Sequence, residues 1–393
     1  MFRKRADGGV RDVHTMTEIE LSEQQQEALR AIHQWFYTRY QPTFYLDGPA
    51  GTGKTTLAKY IADQIGTGVV YATFTGKAAA VMHSKGCCDA KTIDRLIYHP
   101  SINIWCAKPE PCKNPELCGC RHKREEHVGR ALNPKSSAAT VGLIIIDEVS
   151  MVNELMARDL MSFRTPILVL GDKAQLPPID GEGYFTRHQP DFQLTEIHRQ
   201  AANSPVILLA TAARQGMKLP RGECGTSYVG SISIKEAAGF DQVIVGTHRS
   251  RQRLNKKLRA ELGYSGDIPR IGEKLICLKN RRDKDLLNGT MWSVADVDDE
   301  DIGGFVEMTV VNDEGRVVDI KAPVDGFNIR DGSGGNLPGD PFAYGYAITC
   351  HKAQGSQWNS VAIKDESWYF REHRQRWLYT AITRAAKKVG VAL

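Results

Sequence analysis

Thr43-Phe-Tyr-Leu-Asp-Gly48-Pro-Ala-Gly-Thr-Gly-Lys54-Thr55 decides the fold of this chain. Thr43–Leu46 reads as a β-strand, and a helix follows Lys54. Between them Gly48–Thr55 fits G-x-x-x-x-G-K-[ST] completely, in the strand–loop–helix context that gives the pattern its meaning. Glycines let backbone N–H groups wrap phosphates at a helix N-terminus. Lys54 supplies a point charge to the β- and γ-phosphates, and the Thr55 hydroxyl is a ligand for Mg²⁺. Gly51, Thr52, Gly53 and Thr56 complete the candidate nucleotide-binding loop.

Working outward, Gly68–Thr73, Leu143–Ile146 and Ile167–Leu170 also read as strands, with helices after Gly76 and Val152. Leu143–Ile146 is apolar at every position, as in a strand buried on both faces. This alternation predicts an α/β fold with a parallel sheet between helices. A second unit starts at Gln242–Val245, with a helix over Arg251–Leu262. It resumes at Ala343–Ile348 and ends with a helix near Trp377–Thr383 and a strand at Lys388–Val391. Two segments interrupt the pattern. Residues 98–138 hold four cysteines and five prolines and show no α/β periodicity. Residues 290–341 contain the alternating runs Met291–Val297, Phe305–Val310 and Arg316–Ile320, expected to form a small β-barrel.

Asp147-Glu148 ends the buried Leu143–Ile146 strand, in the crevice where parallel sheets bind ligands. Asp147 is placed to hold Mg²⁺ through water and Glu148 to act as general base; the bland alternative is an acidic helix cap with Ser150. Gly171–Ile179, GDKAQLPPI, follows another buried strand. It sets the neutral amide of Gln175 beside the nucleotide and two stiff prolines, Pro177 and Pro178, just beyond. Such a turn can sense a terminal phosphate at one end and hold a second ligand at the other. Ser22-Glu-Gln-Gln25 is a capping box, so Gln25 is either structural, or reads the adenine edge, or does both.

Composition limits the classes. A chain of 393 residues implies two or more domains. Its 41% hydrophobic and 25% charged content is that of an ordinary globular protein. The net charge of +5 is mild, so nucleic-acid binding has to come from local clusters such as His248–Arg259, with six Lys/Arg and no acid. That run is also what the solvated face of a helix looks like. No apolar run reaches the ~20 residues of a membrane span. The basic N-terminus lacks the apolar stretch of a secretory signal, and residues 1–17 are expected to be a disordered tail. Nine cysteines without such a signal point to a reducing compartment, the cytoplasm, whether nucleoid or host-cell.

The motifs accumulate into a family resemblance. Leu21-Ser-Glu-Gln-Gln25, the phosphate loop, Ala72-Thr-Phe-Thr-Gly-Lys77, Thr92-Ile-Asp-Arg-Leu, Asp147-Glu-Val-Ser-Met151, GDKAQLPPI and Leu194-Thr-Glu-Ile-His-Arg199 follow in order. The second half adds Gly272-Glu-Lys through Asn288-Gly289, Thr349-Cys-His-Lys-Ala-Gln-Gly-Ser356 and Tyr379-Thr-Ala-Ile-Thr-Arg384. The chain resembles a superfamily 1 DNA helicase of the RecD/Dda branch, the 5′→3′ group. The resemblance implies two RecA-like domains, 18–97 with 139–205 and 206–289 with 342–393, and ATP with Mg²⁺ in the cleft between them. It makes 290–341 an SH3-like barrel inserted in the second domain and 98–138 a Cys-rich insertion at the position of the strand-separating wedge. Arg199 and Arg384 match arginines that reach the γ-phosphate. Phe74, Thr75, Lys77, Thr92, Pro178, Thr349, His351 and Lys352 match loops that contact single-stranded DNA. The implied partners are single-stranded DNA and forked or tailed duplex DNA, with no membrane; the implied state is a monomer, with replication or repair proteins as further partners. Asp94 departs from a frequent family His and would repel phosphates, so it is left out of the DNA set. Gln357 stands where relatives often carry Glu.

Cys106, Cys112, Cys118 and Cys120 can close a tetrahedral Zn²⁺ site, with His122 and His127 as substitutes, although paired C-x-x-C spacing is absent. An iron–sulfur cluster and no metal at all are the alternatives. Trp105, beside the first cysteine, either meets the fork or covers the metal. Two other functions stay open on sequence alone. A P-loop kinase would need an acceptor pocket and a lid, and would leave the second unit's motifs unexplained. A DNA-stimulated translocase would share the motor and lack only unwinding.

Overall fold

The structure, a computed structural model, describes residues 21–66, 68–106, 123–178, 181–197, 203–281, 283–298, 303–327 and 339–393. The expected N-terminal tail, Arg199 and Cys112, Cys118 and Cys120 lie outside these residues, as do the side chains of Trp105 and Cys106. In chain order the first unit runs α1 (Glu23–Thr38), β1 (Thr43–Asp47), α2 (Lys54–Ile65), β2 (Val69–Thr73), α3 (Gly76–Ser84), β3 (Lys91–Thr92) and α4 (Ile93–Ile97). A hairpin of β4 (Tyr98–Cys106) and β5 (Lys123–Leu132) follows, then β6 (Leu143–Asp147), α5 (Glu154–Met161), β7 (Ile167–Gly171) and β8 (Phe192–Gln193).

The first sheet is parallel throughout, in the order β3-β2-β6-β7-β1-β8. Helices cover both faces, which is why β6 has no polar alternation. Leu143 and Ile145 pack with Ile32, Trp35 and Leu57 on one side. Ile144 and Ile146 pack with Ile93, Leu96 and Leu160 on the other. Ser22 starts α1 through the expected capping box: its Oγ accepts from the Gln25 amide at 3.3 Å, and Gln25 Oε1 accepts from the Ser22 amide at 3.1 Å.

The second unit comprises α6 (Pro205–Arg214), β9 (Gly222–Cys224), β10 (Ser227–Gly230), α7 (Ile234–Ala238), β11 (Gln242–Val245) and α8 (His248–Glu261). After β12 (Lys274–Cys277), β13 (Met291–Val297), β14 (Phe305–Val311), β15 (Val317–Pro323) and β16 (Phe342–Tyr344), it resumes with β17 (Ala347–Thr349), α9 (Cys350–Ala353), β18 (Trp358–Lys364), α10 (Arg374–Ile382) and β19 (Ala385–Ala392). Its sheet runs β17-β11-β18-β19-β10-β9, parallel except for β9.

The span 98–138, which shows no α/β periodicity, begins and ends in a hairpin: β4 and β5 pair antiparallel from Tyr98↔Leu132 to Cys106↔Lys123. Two expectations need correction. The expected strand Ala343–Ile348 is two strands in two sheets. A Cβ on Gly345 would sit 2.6 Å from the Met291 methyl and 3.0 Å from the Leu275 backbone, so the chain turns from β16 to β17 at the residue without one. The antiparallel insertion is therefore wider than 290–341: its five-stranded sheet, β15-β14-β13-β12-β16, takes in Lys274–Cys277 and Phe342–Tyr344 as well. Among the described residues no helix is long and apolar enough to cross a membrane.

Glu273, fully buried ahead of β12, fastens the inserted sheet to α8. Its carboxylate takes Arg259 Nε at 2.6 Å and Nη2 at 2.7 Å, and the guanidinium lies 3.9 Å from the Tyr344 ring centre. Removing one partner strands a buried charge at a cost of about 3–5 kcal/mol. Glu273→Ala is therefore expected to lower the denaturant midpoint by that free energy, and an unchanged midpoint would show the pair to be dispensable.

Candidate nucleotide cleft and nucleic-acid face

Phosphate-loop chemistry begins with backbone geometry. Gly51 (φ 88°) and Gly53 (φ 75°) occupy the left-handed region and turn successive N–H groups inward at the start of α2. Thr55 Oγ1 donates to Asp147 Oδ2 at 2.8 Å, so the two expected Mg²⁺ ligands already share one spot. Lys54 Nζ donates to the Gly48 and Pro49 carbonyls at 2.5 and 3.2 Å. Thr52 is buried, its hydroxyl bonded to Pro49 O at 3.0 Å, and Thr56 lines the same cleft. Gly48 has no room for a side chain, since a Cβ would lie 2.8 Å from Thr52 Oγ1.

Glu148 is a non-glycine residue at φ 55°, a conformation that needs support from its surroundings and concentrates at functional sites. Its amide donates to Asp147 Oδ1 at 2.8 Å. Burial pushes its carboxyl above the ordinary value, against the pull of Arg384, whose Nη1 lies 3.8 Å from Glu148 Oε1. Arg384 belongs to the second unit and is itself buried, held by the Thr380 carbonyl at 3.1 Å and the Ser356 carbonyl at 3.3 Å. Gln175 is 8% exposed and lines the cleft; among the described residues its Oε1 has no hydrogen-bond partner. A buried carbonyl oxygen of this kind is costly unless a donor reaches it, and the glycine loop, Thr55–Asp147 pair and buried arginine around it suit a triphosphate with its metal. Lys54, Thr55, Asp147, Glu148, Gln175, Gln357 and Arg384 therefore converge on one cleft between the units.

Gln25 does not line that cleft. Its Nε2 donates to the Thr52 carbonyl at 3.1 Å and its Oε1 completes the capping box.

Sequence reasoning missed the residues that join the units. Tyr379 hydroxyl donates to Asp172 Oδ2 and accepts from the Ala50 amide at 3.1 Å. Burial, reinforced by Asp172, raises the phenol well above its ordinary value, so it stays a donor. Leu176, from GDKAQLPPI, is buried in the second unit's core beside Trp377 and Ala353. Its amide donates to Thr380 Oγ1 at 2.8 Å and its carbonyl accepts from Gln354 Nε2 at 2.6 Å. Within the first unit, Asp47, 1% exposed, ties the same turn to β1 and β8, accepting from the Lys173 amide, the Tyr45 hydroxyl and Gln193 Nε2 at 2.8–2.9 Å. Tyr379 stood in a quoted motif, but nothing in its spacing marks a bridging hydroxyl.

The candidate DNA residues sit at the carboxyl ends of parallel strands. Phe74 and Thr75 follow β2, Thr92 ends β3, Thr349 ends β17, and His351 and Lys352 follow it. Thr75 and Thr92 cap α3 and α4, their hydroxyls accepting from Ala78 and Arg95 at 3.2 and 3.1 Å. Phe74 packs partly into the core. Pro178 is half-buried at the end of its turn. Lys77 lies over the Trp358 ring, 4.4 Å away, and burial pulls its ammonium down to about 8. Lys352 bonds Asn288 and is likewise lowered to about 8. Burial lowers His351 to about 4, so it is neutral at pH 7. Asp94 pairs with Arg130 of the hairpin, an intramolecular reason for its charge. Among the described residues no group of three or more His, Cys, Asp or Glu is arranged to hold a metal.

Two RecA-like units closing on a phosphate loop define a P-loop core of the helicase type. Comparison with known proteins agrees. The AAA domain family matches residues 20–222, and the UvrD-like helicase C-terminal domain matches residues 344–392. The chain is 27% identical to the ATP-dependent RecD2 DNA helicase of Deinococcus radiodurans, over 86% of this chain and 45% of that protein. It is 29% identical to the ATP-dependent DNA helicase dda of Enterobacteria phage T4, over 59% of this chain and 55% of that protein. The chain thus spans about half the length of these relatives. Its fold is that of Bacteroides Pif1 bound to single-stranded DNA (TM-score 0.54, 18% identity, covering 95% and 92% of the two chains). It is also that of Pif1 solved in a study of unwinding at forked duplex DNA (TM-score 0.56, 19% identity, 95% and 92%). The chain belongs to the AAA domain family, and its second unit carries a UvrD-like helicase C-terminal domain.

Tyr379→Phe removes the donor to Asp172 and the acceptor for Ala50. A buried carboxylate left short of a partner costs about 1–3 kcal/mol. The variant should unfold at correspondingly lower denaturant and bind a fluorescent ATP analogue more weakly; wild-type values for both would show that the bridge carries nothing.

Proposed function

We propose that the chain is an ATP-driven DNA motor that moves 5′→3′ along single-stranded DNA and unwinds duplex. The observation that carries this is the cleft in which Glu148 of the first unit faces Arg384 of the second. Such a site hydrolyses only when the two units come together, which couples chemistry to their relative movement. Glu148 takes a proton from the attacking water as the new bond to the γ-phosphorus forms and the bond to the bridging oxygen breaks. Arg384 and Lys54 neutralise the charge that develops, and Gln175 positions the terminal phosphate or the water. Thr55 and Asp147 would hold Mg²⁺, which supplies further charge neutralisation. Arg199 is assigned the companion role to Arg384 from its motif alone.

Single-stranded DNA would run across Phe74, Thr75, Lys77, Thr92 and Pro178 of the first unit and Thr349, His351 and Lys352 of the second. Hydroxyls, backbone amides and lysines suit phosphates without reading sequence. The β4–β5 hairpin projects from this unit directly after Thr92 and α4, and serves as the wedge. Cys106 at the end of β4 and Cys112, Cys118 and Cys120 in the chain that follows it would hold zinc; the inserted antiparallel sheet takes the role of the SH3-like barrel.

Lys54→Ala should lower ATP turnover about 10²–10³-fold, while Glu148→Gln should keep nucleotide binding and lose hydrolysis. Near-normal turnover in either variant would sink the assignment. Glu148 must be ionised to accept a proton, and its carboxyl is raised. Turnover should therefore decline on acidification with a midpoint above the ~4.3 of an ordinary glutamate; a midpoint at or below that value would count against Glu148 as base. Polarity is read from duplexes with a 5′ or a 3′ single-stranded tail: preference for the 3′ tail would overturn the direction. Replacing Cys118 and Cys120 with Ser should spare DNA-stimulated ATPase and impair unwinding, with about one zinc per wild-type chain. Metal-free protein and normal unwinding by the variant would remove both the zinc and the wedge.

A further inference from the structure

The segment between β18 and α10 carries two aromatic rings that no core uses. Trp368 is 60% and Tyr369 54% exposed, and they stack on each other with centroids 3.7 Å apart and planes 27° from parallel. This outward display is held in place. Glu366, buried just before them, accepts from the Gly246 amide at 2.9 Å, the Thr247 amide at 3.1 Å and Lys364 Nζ at 2.5 Å, which ties the segment to the start of α8. A Cβ on Gly246 would lie 2.7 Å from Glu366 Cβ and 3.1 Å from Phe370 Cε2, so the segment sits directly on the end of β11. Phe370 turns inward, stacking on Trp377 at 5.6 Å and meeting His351 at 5.8 Å. Arg371 takes φ 44°, a strained conformation of the kind found at ligand clamps.

The surroundings are basic. His248, Arg249 and Arg251 open α8, and Arg371, His373 and Arg374 follow the rings, with Glu372 as the acid between them. His248 and His373 both lie close enough to His351 to disfavour its protonation. Flat exposed rings beside cationic side chains suit a polyanion that carries unpaired, stackable bases. A phosphate site alone would not need the rings.

We propose that Trp368 and Tyr369 form a base-stacking platform for single-stranded DNA on the second unit, continuing the path beyond His351. This rests on the DNA-motor reading and adds to it a contact with bases rather than phosphates. The platform grips without sequence preference, because every base offers a π-face.

The test is fluorescence anisotropy of the full chain with labelled oligo(dT) and with an abasic oligomer of equal length. The double variant Trp368→Ala/Tyr369→Ala should bind oligo(dT) about tenfold or more weakly, and Trp368→Phe/Tyr369→Phe should restore most of that affinity. On the abasic oligomer, alanine variant and wild type should bind alike. An alanine variant that binds oligo(dT) like wild type, as it would if the rings docked a protein, overturns the platform. Equal losses on both oligomers also overturn it, since they would mark a structural role. Wild-type protein that fails to bind oligo(dT) at all would instead overturn the DNA-motor reading itself.

Discussion

The contact between Tyr379, Asp172 and the Ala50 amide is the constraint on which the arrangement of this molecule depends. One phenol from the second unit touches the phosphate loop and the turn that carries Gln175. Asp172 is buried and its carboxyl is raised for that reason, although Lys54 and the Tyr379 hydroxyl oppose the shift. The hydroxyl must donate for the carboxylate to be tolerated, and its own elevated pKa ensures that it does. The glycine loop and the turn that carries Gln175 are thus referenced to the same atom of the opposite unit. Arg384 lies on the chain just past the helix that carries this phenol.

The parallel architecture was legible because it rests on local rules. A glycine loop, an unbroken apolar strand and a carboxylate at its end occur within short windows, where each can be read without knowing distant partners. Lys54, Thr55, Asp147, Glu148 and Gln175 were found this way, and the structure brings them to one cleft. Arg384 came from motif resemblance. What escaped were contacts between residues far apart in sequence. Tyr379 meets Asp172 across a separation of 207 residues, and Leu176 meets Thr380 across 204. No periodicity reports such a pairing.

The misjudged boundaries have a similar cause. β12 and β16 are short and apolar, like strands of the parallel sheet, and only their partners reveal which sheet they join. The break at Gly345 is a close approach of backbone to Leu275 and Met291, invisible until both are placed. Asp94 looked like a liability for DNA binding; its charge is instead directed at Arg130 on the hairpin. Two lysines of the candidate nucleic-acid face turn out desolvated, Lys77 on Trp358 and Lys352 on Asn288. Cations with lowered pKa and fixed neighbours cost less to hold in position against a phosphate than lysines free in water.

Leu176 has a consequence for how the chain can be divided. It leaves the first unit, enters the second unit's hydrophobic cluster beside Trp377, and has both of its backbone polar groups satisfied there. The second half expressed by itself would present an apolar socket lined by Ala353 and Trp377, together with an idle Thr380 hydroxyl and Gln354 amide. A detached first half would carry a leucine and two unmet backbone groups into water. The two sheets resemble separate modules, yet the first completes the interior of the second. Shuffling halves between relatives would succeed only where plug and socket are exchanged as a matched pair.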